Sequence, residues 1–272
     1  MLLAFLAASA LLFAAWQFAQ PRLAASRRRR IGARPFPEAW RRILRQRVPA
    51  VRRLPADLRR QLHARIQVFL AGKSFAGCAG LAVTDEMRVT IAALACLLRL
   101  NRADEDYPHL RQVLIYPGPF IVERPRTDGI GLVQDERRVL SGESWARGQV
   151  ILSWPDVLEG AAIDDDGRNV AIHEFAHQLD QEKGFANGAP DLVDSQRYPR
   201  WSRVLGQEYV ALLDRMHSGE PTMIDPYGAS DPAEFFAVCS EVFFERPRDL
   251  AAGHPALYGE LSRFYRIDPA TW

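Results

Sequence analysis

The residues best suited to chemistry lie in one short segment, in which two histidines four positions apart flank a glutamate. The segment NVAIHEFAHQLDQE begins at Asn169 and contains the pattern HExxH. In a helix, residues at i and i+4 project from the same face, so His173 and His177 can bind one metal ion. Glu174 would lie beside that ion, where its carboxylate can take a proton from a water that the metal activates. The pattern predicts a hydrolase that uses one Zn²⁺ per chain.

A third protein ligand is needed, because catalytic zinc sites use three and leave one position open for water. No HExxHxxGxxH extension follows, which argues against a third histidine. The segment SDPAEFFAVCSEVFFERP predicts a second helix, with Asp231 as its cap and Pro232 at its first position. Glu234 and Glu241 flank the buried stripe of this helix on the same side, and the pattern leaves both open as the ligand. Glu234 also fits a capping box, which is a purely structural interpretation.

The elements that must position these residues are helices and a small sheet. Apolar residues at helical spacing predict one helix over residues 55–72 and another over residues 84–100, capped by Thr84. Between residues 112 and 154, short β-rich runs alternate with Gly and Pro and predict a small, mostly antiparallel sheet. The order of helices, sheet and helices favours an α+β domain.

The composition is that of a globular protein, with 272 residues of which 48% are hydrophobic and 25% charged. These values exclude disordered, collagen-like and coiled-coil chains. The net charge of +2 hides an asymmetry, since residues 1–65 hold fifteen arginines against two acidic residues. The three cysteines lack CxxC spacing and lie among apolar residues, which argues against a disulfide framework.

The N-terminal segment is apolar and is followed by arginines. Residues 1–19 carry no charge, and as a helix they would measure about 28 Å, the thickness of a bilayer's hydrocarbon core. The arginines at 22 and 27–30 would stay in the cytoplasm by the positive-inside rule. We therefore expect a single-pass inner-membrane protein whose residues 1–20 form a transmembrane helix, with residues 1–30 in contact with membrane lipids and the catalytic domain in the cytoplasm.

Alternative localisations stay open. Small residues at 24–26 would suit cleavage of a signal peptide, which would give a secreted or periplasmic protein, and a cytoplasmic protein is a further alternative. Nucleic acid is not an expected partner, because lipid headgroups explain the arginines and no nucleic-acid-binding motif is found. We expect residues 21–53 to form a basic juxtamembrane linker and residues 54–272 to form the catalytic domain.

Several motifs, taken together, resemble one known family. HEFAHQLD, followed by DPYGASDPAEFFAVCSEVFFERP, is similar to the zinc-peptidase family of Mlc titration factor A. MRVTIAALACLL and the series VLIYPGPFIVE, GLV, SGESW and VILSW resemble it too, so the likeness covers about residues 54–268. The resemblance implies a zincin-like fold of the gluzincin type, related to the catalytic domain of anthrax lethal factor, and a zinc site of two histidines and a glutamate.

The resemblance also implies roles for individual residues. Carried over by position, His173, His177 and Glu234 are the zinc ligands, and Glu174 is the base. Tyr227 matches the tyrosine that supports the oxyanion. A phenol suits this role because it can donate to the oxygen that becomes negative as water attacks a peptide carbonyl.

Two further positions carry weaker predictions. Asp180 lies one turn after His177, where it could accept the other N–H of that ring, although an exposed helix-end aspartate is an equally good interpretation. Some relatives place a histidine after GLV, where this chain has Gln134, so regulatory ligation from that loop is in doubt. The apolar N-terminal segment also departs from the family's soluble form.

The sequence therefore predicts a zinc metallopeptidase that acts on a peptide or protein substrate, with Glu174 as general base and Tyr227 as oxyanion support. Aminopeptidase and endopeptidase action both stay open. The alternative comes from the family's name, which records binding of a transcriptional repressor of sugar-uptake genes. In this alternative, the protein is a membrane-tethered regulator that sequesters such a repressor, and the zinc is mainly structural.

Overall fold

The computed structural model describes residues 16, 19–102, 106–127, 133–140, 142–145 and 148–272. Within this set, residues 121–127, 133–140 and 143–145 are described by their backbone alone.

Most of the described residues form helices. In chain order these are α1 (Glu38–Arg47), α2 (Ala56–Gly72), α3 (Asp85–Leu97), α4 (Trp154–Ala162), α5 (Val170–Asp180), α6 (Tyr198–Ser218), α7 (Pro232–Glu245), α8 (Pro247–Gly253) and α9 (Pro255–Tyr265). Residues 19–32 are helical as well. Short 3₁₀ turns lie at Pro49–Arg52, Ser195–Arg197, Pro226–Ala229 and Pro269–Thr271.

The strands form a four-stranded sheet and a separate hairpin. They are β1 (Ser74–Gly77), β2 (Gln112–Tyr116), β3 (Phe120–Thr127), β4 (Val133–Leu140), β5 (Gly142–Trp145) and β6 (Gln149–Ser153). The sheet has the order β1-β2-β6-β5, in which β1, β2 and β6 run parallel and β5 runs antiparallel to β6 at the edge. β3 and β4 pair antiparallel with each other.

The prediction of a mostly antiparallel sheet is wrong, because the three neighbouring strands β1, β2 and β6 are parallel. The β-rich runs marked where strands lie but not their direction. Parallel pairing needs a crossover, and α3 supplies it between β1 and β2. β1 itself, SFAG, follows α2 so closely that the sequence predicted only the end of a helix there.

The two helices predicted before the sheet are confirmed. The first is α2, which begins one residue after Pro55. The second is α3, whose cap is Thr84, with the hydroxyl accepting a hydrogen bond from Met87 N at 3.3 Å. α3 is buried along most of its length, and it packs against α1, α2, α4 and α5.

α5 lies in the middle of the core, which is how the fold positions the HExxH residues. It packs on β5 and β6 on one side and on α3, α4 and α7 on the others. The core also takes in residues before position 54, since Phe36, Leu44, Val48 and Val51 are buried in it. The predicted domain boundary at residue 54 stays a prediction.

The predicted single-pass localisation in the inner membrane is wrong, because no helix in the described part of the chain is both long and apolar enough to cross a bilayer. Residues 1–15, 17 and 18, on which most of the predicted span falls, lie outside the described residues. The predicted contact with membrane lipids is not shown by the structure.

Candidate metal centre

α5 begins at a strong cap and presents both histidines on one face. The Asn169 side chain accepts a hydrogen bond from Ile172 N at 3.1 Å, which satisfies one of the free N–H groups at the start of the helix. The rings of His173 and His177 lie 4.8 Å apart between centroids and nearly at right angles, so each can direct a ring nitrogen to a common point.

α7 brings a carboxylate to the same point. Asp231 caps it by accepting from Ala233 N at 2.8 Å and from Glu234 N at 3.0 Å, and Pro232 occupies its first position, as the sequence predicts. Glu234 lies in the first turn of α7, and this end of the helix faces the histidines of α5.

The three candidate ligand atoms converge. His173 Nε2 lies 2.9 Å from Glu234 Oε2 and 3.2 Å from His177 Nε2, and His177 Nε2 lies 3.4 Å from Glu234 Oε2. A tetrahedral zinc with bonds of about 2.0–2.1 Å would hold its ligand atoms about 3.3 Å apart. The donors, two imidazoles and a carboxylate, are those of hydrolytic zinc sites. These residues therefore fit a zinc ion in both chemistry and spacing.

Charge is concentrated at this point. Burial would lower the pKa of His173, but the carboxylates of Glu241 and Glu234 raise that pKa well above its ordinary value. Burial would likewise raise the pKa of Glu234, but hydrogen bonds from His173 and His177 hold it far below its usual range. The carboxylates thus require a positive charge between them, which a proton or a metal cation can supply.

Glu241 lies behind His173 and not beside Glu234. Its Oε1 is 2.7 Å from His173 Nδ1, on the opposite side of the ring from the candidate ligand nitrogen. Its Oε2 accepts a hydrogen bond from the backbone N–H of Asn169. Glu241 is therefore placed to orient the ring of His173, and of the two glutamates that the sequence left open, Glu234 is the one at the convergence point.

Asn169 connects this carboxylate to a second buried acid, Glu245. The Asn169 amide donates to Glu245 Oε1 at 3.0 Å and to the carbonyl oxygen of Gly160 at 2.8 Å. The other carboxylate oxygen of Glu245 accepts from Gly167 N at 3.0 Å. Burial raises the pKa of Glu245 to about 9, so its side chain is neutral at pH 7.

Glu174 is buried beside the candidate ligands and faces the edge strand. Its side chain is 5% exposed. Gly142, the first residue of β5, lies against it closely enough that an added Cβ would be 2.6 Å from Glu174 Oε1. The carboxylate thus lies between the HExxH helix and the sheet edge.

Tyr227 lies at the rim of the site. It belongs to the 3₁₀ turn Pro226–Ala229, its side chain is 46% exposed, and its ring centroid is 5.9 Å from that of His173. Asp225 holds this turn, since its Oδ1 accepts from Tyr227 N at 2.9 Å. The other oxygen of Asp225 pairs at 2.7 Å with Arg168, which precedes the cap of α5.

Asp180 has a different partner from the one considered in the sequence. Its Oδ2 accepts from Asn187 N at 2.8 Å and from Gly188 N at 2.7 Å, so it fixes the loop that follows α5. It is 4% exposed, which also excludes the exposed helix-end interpretation. Gln134 lies in β4, where only the backbone is described.

Three supporting residues were not found from the sequence: Asn169 as a connection to Glu245, Glu245 itself, and Asp225. The sequence does contain a signal for Glu245. Glu234, Glu241 and Glu245 are spaced i, i+7 and i+11, so they share one face of a helix. Nothing in the spacing distinguishes Asp225 from an ordinary turn residue.

Comparison with known proteins places these motifs in a wider group. The sequence profile of the family described as glucose-regulated metallo-peptidase M90 matches residues 23–266. A Synechocystis protein described as uncharacterised is 42% identical over 244 residues, which is 89% of each chain. Mlc titration factor A of Klebsiella pneumoniae is 38% identical over 225 residues, covering 82% of this chain and 84% of the relative. Mlc titration factor A of Salmonella agona is 37% identical over 226 residues, with the same coverage.

Proposed function

Because the chain belongs to the glucose-regulated metallopeptidase family M90, we propose that it is a zinc-dependent peptidase of the gluzincin type. The observation that carries this proposal is the convergence of two imidazole nitrogens and one carboxylate oxygen from α5 and α7. His173, His177 and Glu234 would hold one zinc ion per chain. When bound there, the ion supplies Lewis acidity, which polarises a peptide carbonyl and makes water a stronger acid.

Glu174 is the general base of the proposed reaction. Its carboxylate accepts a proton from the attacking water and then donates that proton to the nitrogen of the leaving amine. Its place one residue after His173 on α5 holds it beside the ligands. Its 5% exposure keeps bulk water from competing for the proton.

Tyr227 is the proposed oxyanion donor. As water adds to the carbonyl, the oxygen becomes negative, and a phenol O–H directed at it stabilises that charge. The position of Tyr227 supports this role, since it is close to His173 and exposed enough to meet a substrate.

Glu241 is the proposed support of His173. A carboxylate that accepts from Nδ1–H fixes the tautomer in which Nε2 carries the free lone pair, and it makes that nitrogen a better ligand. The backbone N–H of Asn169 holds the carboxylate in turn, so the cap of α5 and the orientation of His173 depend on each other.

The first experiment tests the role of Glu174 as general base separately from zinc binding. We expect Glu174→Gln to keep one zinc per chain by elemental analysis and to lose hydrolysis of a peptide library by at least about a thousandfold. Glu159→Gln is the matched control, because Glu159 is exposed on α4, and it should keep full activity. Full activity of Glu174→Gln would refute the mechanism.

The same library identifies the kind of peptidase. Chelation should abolish cleavage, and zinc should restore it. Cleavage of free but not of N-acetylated peptides would indicate an aminopeptidase, and equal cleavage of both would indicate an endopeptidase. A wild-type protein that cleaves nothing with zinc bound would refute the proposed function.

A second candidate function is binding of a transcriptional repressor, because several relatives carry the name Mlc titration factor A. The Glu174→Gln variant distinguishes it from the enzyme. Unchanged repressor capture and an unchanged cellular phenotype in that variant would favour the binding function, whereas a lost phenotype would favour catalysis.

A further inference from the structure

Gly142 lies so close to Glu174 that no larger residue fits there. β5 packs on α5, and Gly142, the first residue of β5, lies against the side chain of Glu174. A Cβ at this position would be 2.6 Å from both Cγ and Oε1 of Glu174, and 2.7 Å from Cγ2 of Val170. Carbon atoms in ordinary packing contact are about 3.5–4.0 Å apart. Any side chain at position 142 would therefore displace Glu174, the strand or both.

The backbone does not explain why a glycine is present. Gly142 is not one of the glycines with positive φ, and it pairs in regular antiparallel register with Leu152. Glycine weakens a strand, and within one it marks a place where another group approaches closely. Here the approaching group is the side chain of Glu174.

We propose that Gly142 is a positioning residue for Glu174. The bare backbone of the edge strand forms one wall of the space that the carboxylate occupies, and it keeps the carboxylate beside the ligands of α5. This inference rests on the proposed function, in which Glu174 is the general base. The three atoms nearest to the added Cβ belong to Glu174 and Val170 and not to a metal ligand, so the effect of a substitution should be confined to the base.

The test is Gly142→Ala in the zinc-loaded protein. We expect kcat to fall about 100-fold, which is the effect of moving a catalytic group by about 1 Å. KM should change by less than about twofold, because substrate binding does not depend on the base. Zinc should stay at one per chain. Gly206→Ala is the matched control, since its Cβ would meet nothing within 4 Å, and it should keep full activity.

A double variant separates an effect on Glu174 from a general displacement of the strand. Val170→Ala removes the methyl group that would meet the new Cβ but leaves the contact with Glu174. We expect Gly142→Ala/Val170→Ala to stay as impaired as Gly142→Ala. Recovery of full activity in the double variant, or full activity of Gly142→Ala itself, would overturn the proposal.

Crystal structures decide the inference independently of the proposed function. In Gly142→Ala the Glu174 carboxylate should lie about 1 Å or more from its wild-type position, while His173, His177 and Glu234 stay in place. An unmoved carboxylate would overturn the inference. If the wild-type protein cleaves no peptide, the proposed function fails, and these structures alone decide whether Gly142 positions Glu174.

Discussion

The two sides of the candidate site are built differently. The interface between α5 and α7 is buried, and its polar groups are joined by hydrogen bonds from Glu234 through His173, Glu241 and Asn169 to Glu245. The rim that carries Tyr227 is exposed, and an ion pair between Arg168 and Asp225 ties it to the start of α5.

The difference indicates that the two sides of the site meet different functional requirements. Metal ligands must be held within a few tenths of an ångström, which requires locked rotamers and supported hydrogen bonds. A residue that meets a substrate must be reachable from solvent and able to adjust. Substitutions in the interface should therefore have large effects on metal binding, and substitutions at the rim should have small ones.

His173→Ala should break the interface most severely. It removes one ligand and leaves Glu234 and Glu241 without their common partner, so we expect zinc content to fall below about a tenth of an equivalent per chain. Elemental analysis after dialysis measures this. His217→Ala is the control, because His217 is an exposed residue of α6, and this variant should keep one zinc ion per chain. One full equivalent in His173→Ala would refute the ligand assignment.

Glu241→Gln tests the support behind the ligand. The amide keeps the size of the side chain but removes its charge, so we expect zinc affinity to fall about 10- to 100-fold. Competition with a fluorescent chelator gives the dissociation constant. An unchanged constant would mean that the negative charge of Glu241 does not contribute to zinc binding, since the amide oxygen can still accept a hydrogen bond from His173 Nδ1.

Glu245→Gln tests the far end of the interface. The pKa of Glu245 is raised from an ordinary 4.5 to about 9 in the fold. The stabilisation that comes from keeping Glu245 protonated in the fold is therefore fully present below about pH 4.5 and is lost as pH rises through about 9. The free energy of unfolding should fall by up to about 1.4 kcal/mol per pH unit in this range. The neutral amide should abolish this loss.

Chemical denaturation at pH 5, 7 and 9 measures the effect. As pH rises, the free energy of unfolding of Glu245→Gln should increase relative to that of wild type. The control Glu159→Gln should follow the wild-type curve. A constant difference between Glu245→Gln and wild type across the three pH values would show that Glu245 titrates normally.

Arg168→Gln tests the rim and should have the smallest effect. The Arg168 side chain is 75% exposed. Exposed ion pairs contribute about 0–1 kcal/mol, so we expect kcat to fall by no more than about fivefold. The difference should vanish at about 1 M salt, where such pairs are screened. A loss as large as that of Glu174→Gln would show that the rim is as rigid as the interface.

The sequence was informative where local rules determine structure. Thr84 and Asp231 are caps whose side chains bind the first N–H groups of their helices, and the spacing of His173 and His177 follows from helical pitch. These features depend on residues within one turn of each other, so they could be read before any fold was known.

It was less informative where structure depends on distant segments. Glu234 and Glu241 share one face of α7, and only the docking of α5 decides which of them meets the ligand nitrogens. The direction of β2 and β6 depends on the path of the connecting chain and not on their alternation. The contact of Gly142 with Glu174 joins segments far apart in sequence, so nothing local in the sequence indicated it.

Because the candidate ligands lie on two separate helices, the proposed zinc site would link metal supply to the lifetime of the protein. His173 and Glu234 are 61 positions apart, so the full ligand set exists only after α5 and α7 have docked. Zinc should then bind the folded chain and hardly the unfolded one, and stabilise it by about 2.7 kcal/mol at a free concentration of 100 times Kd. Under zinc starvation, cells should contain less of this protein, because quality-control proteases remove chains that open.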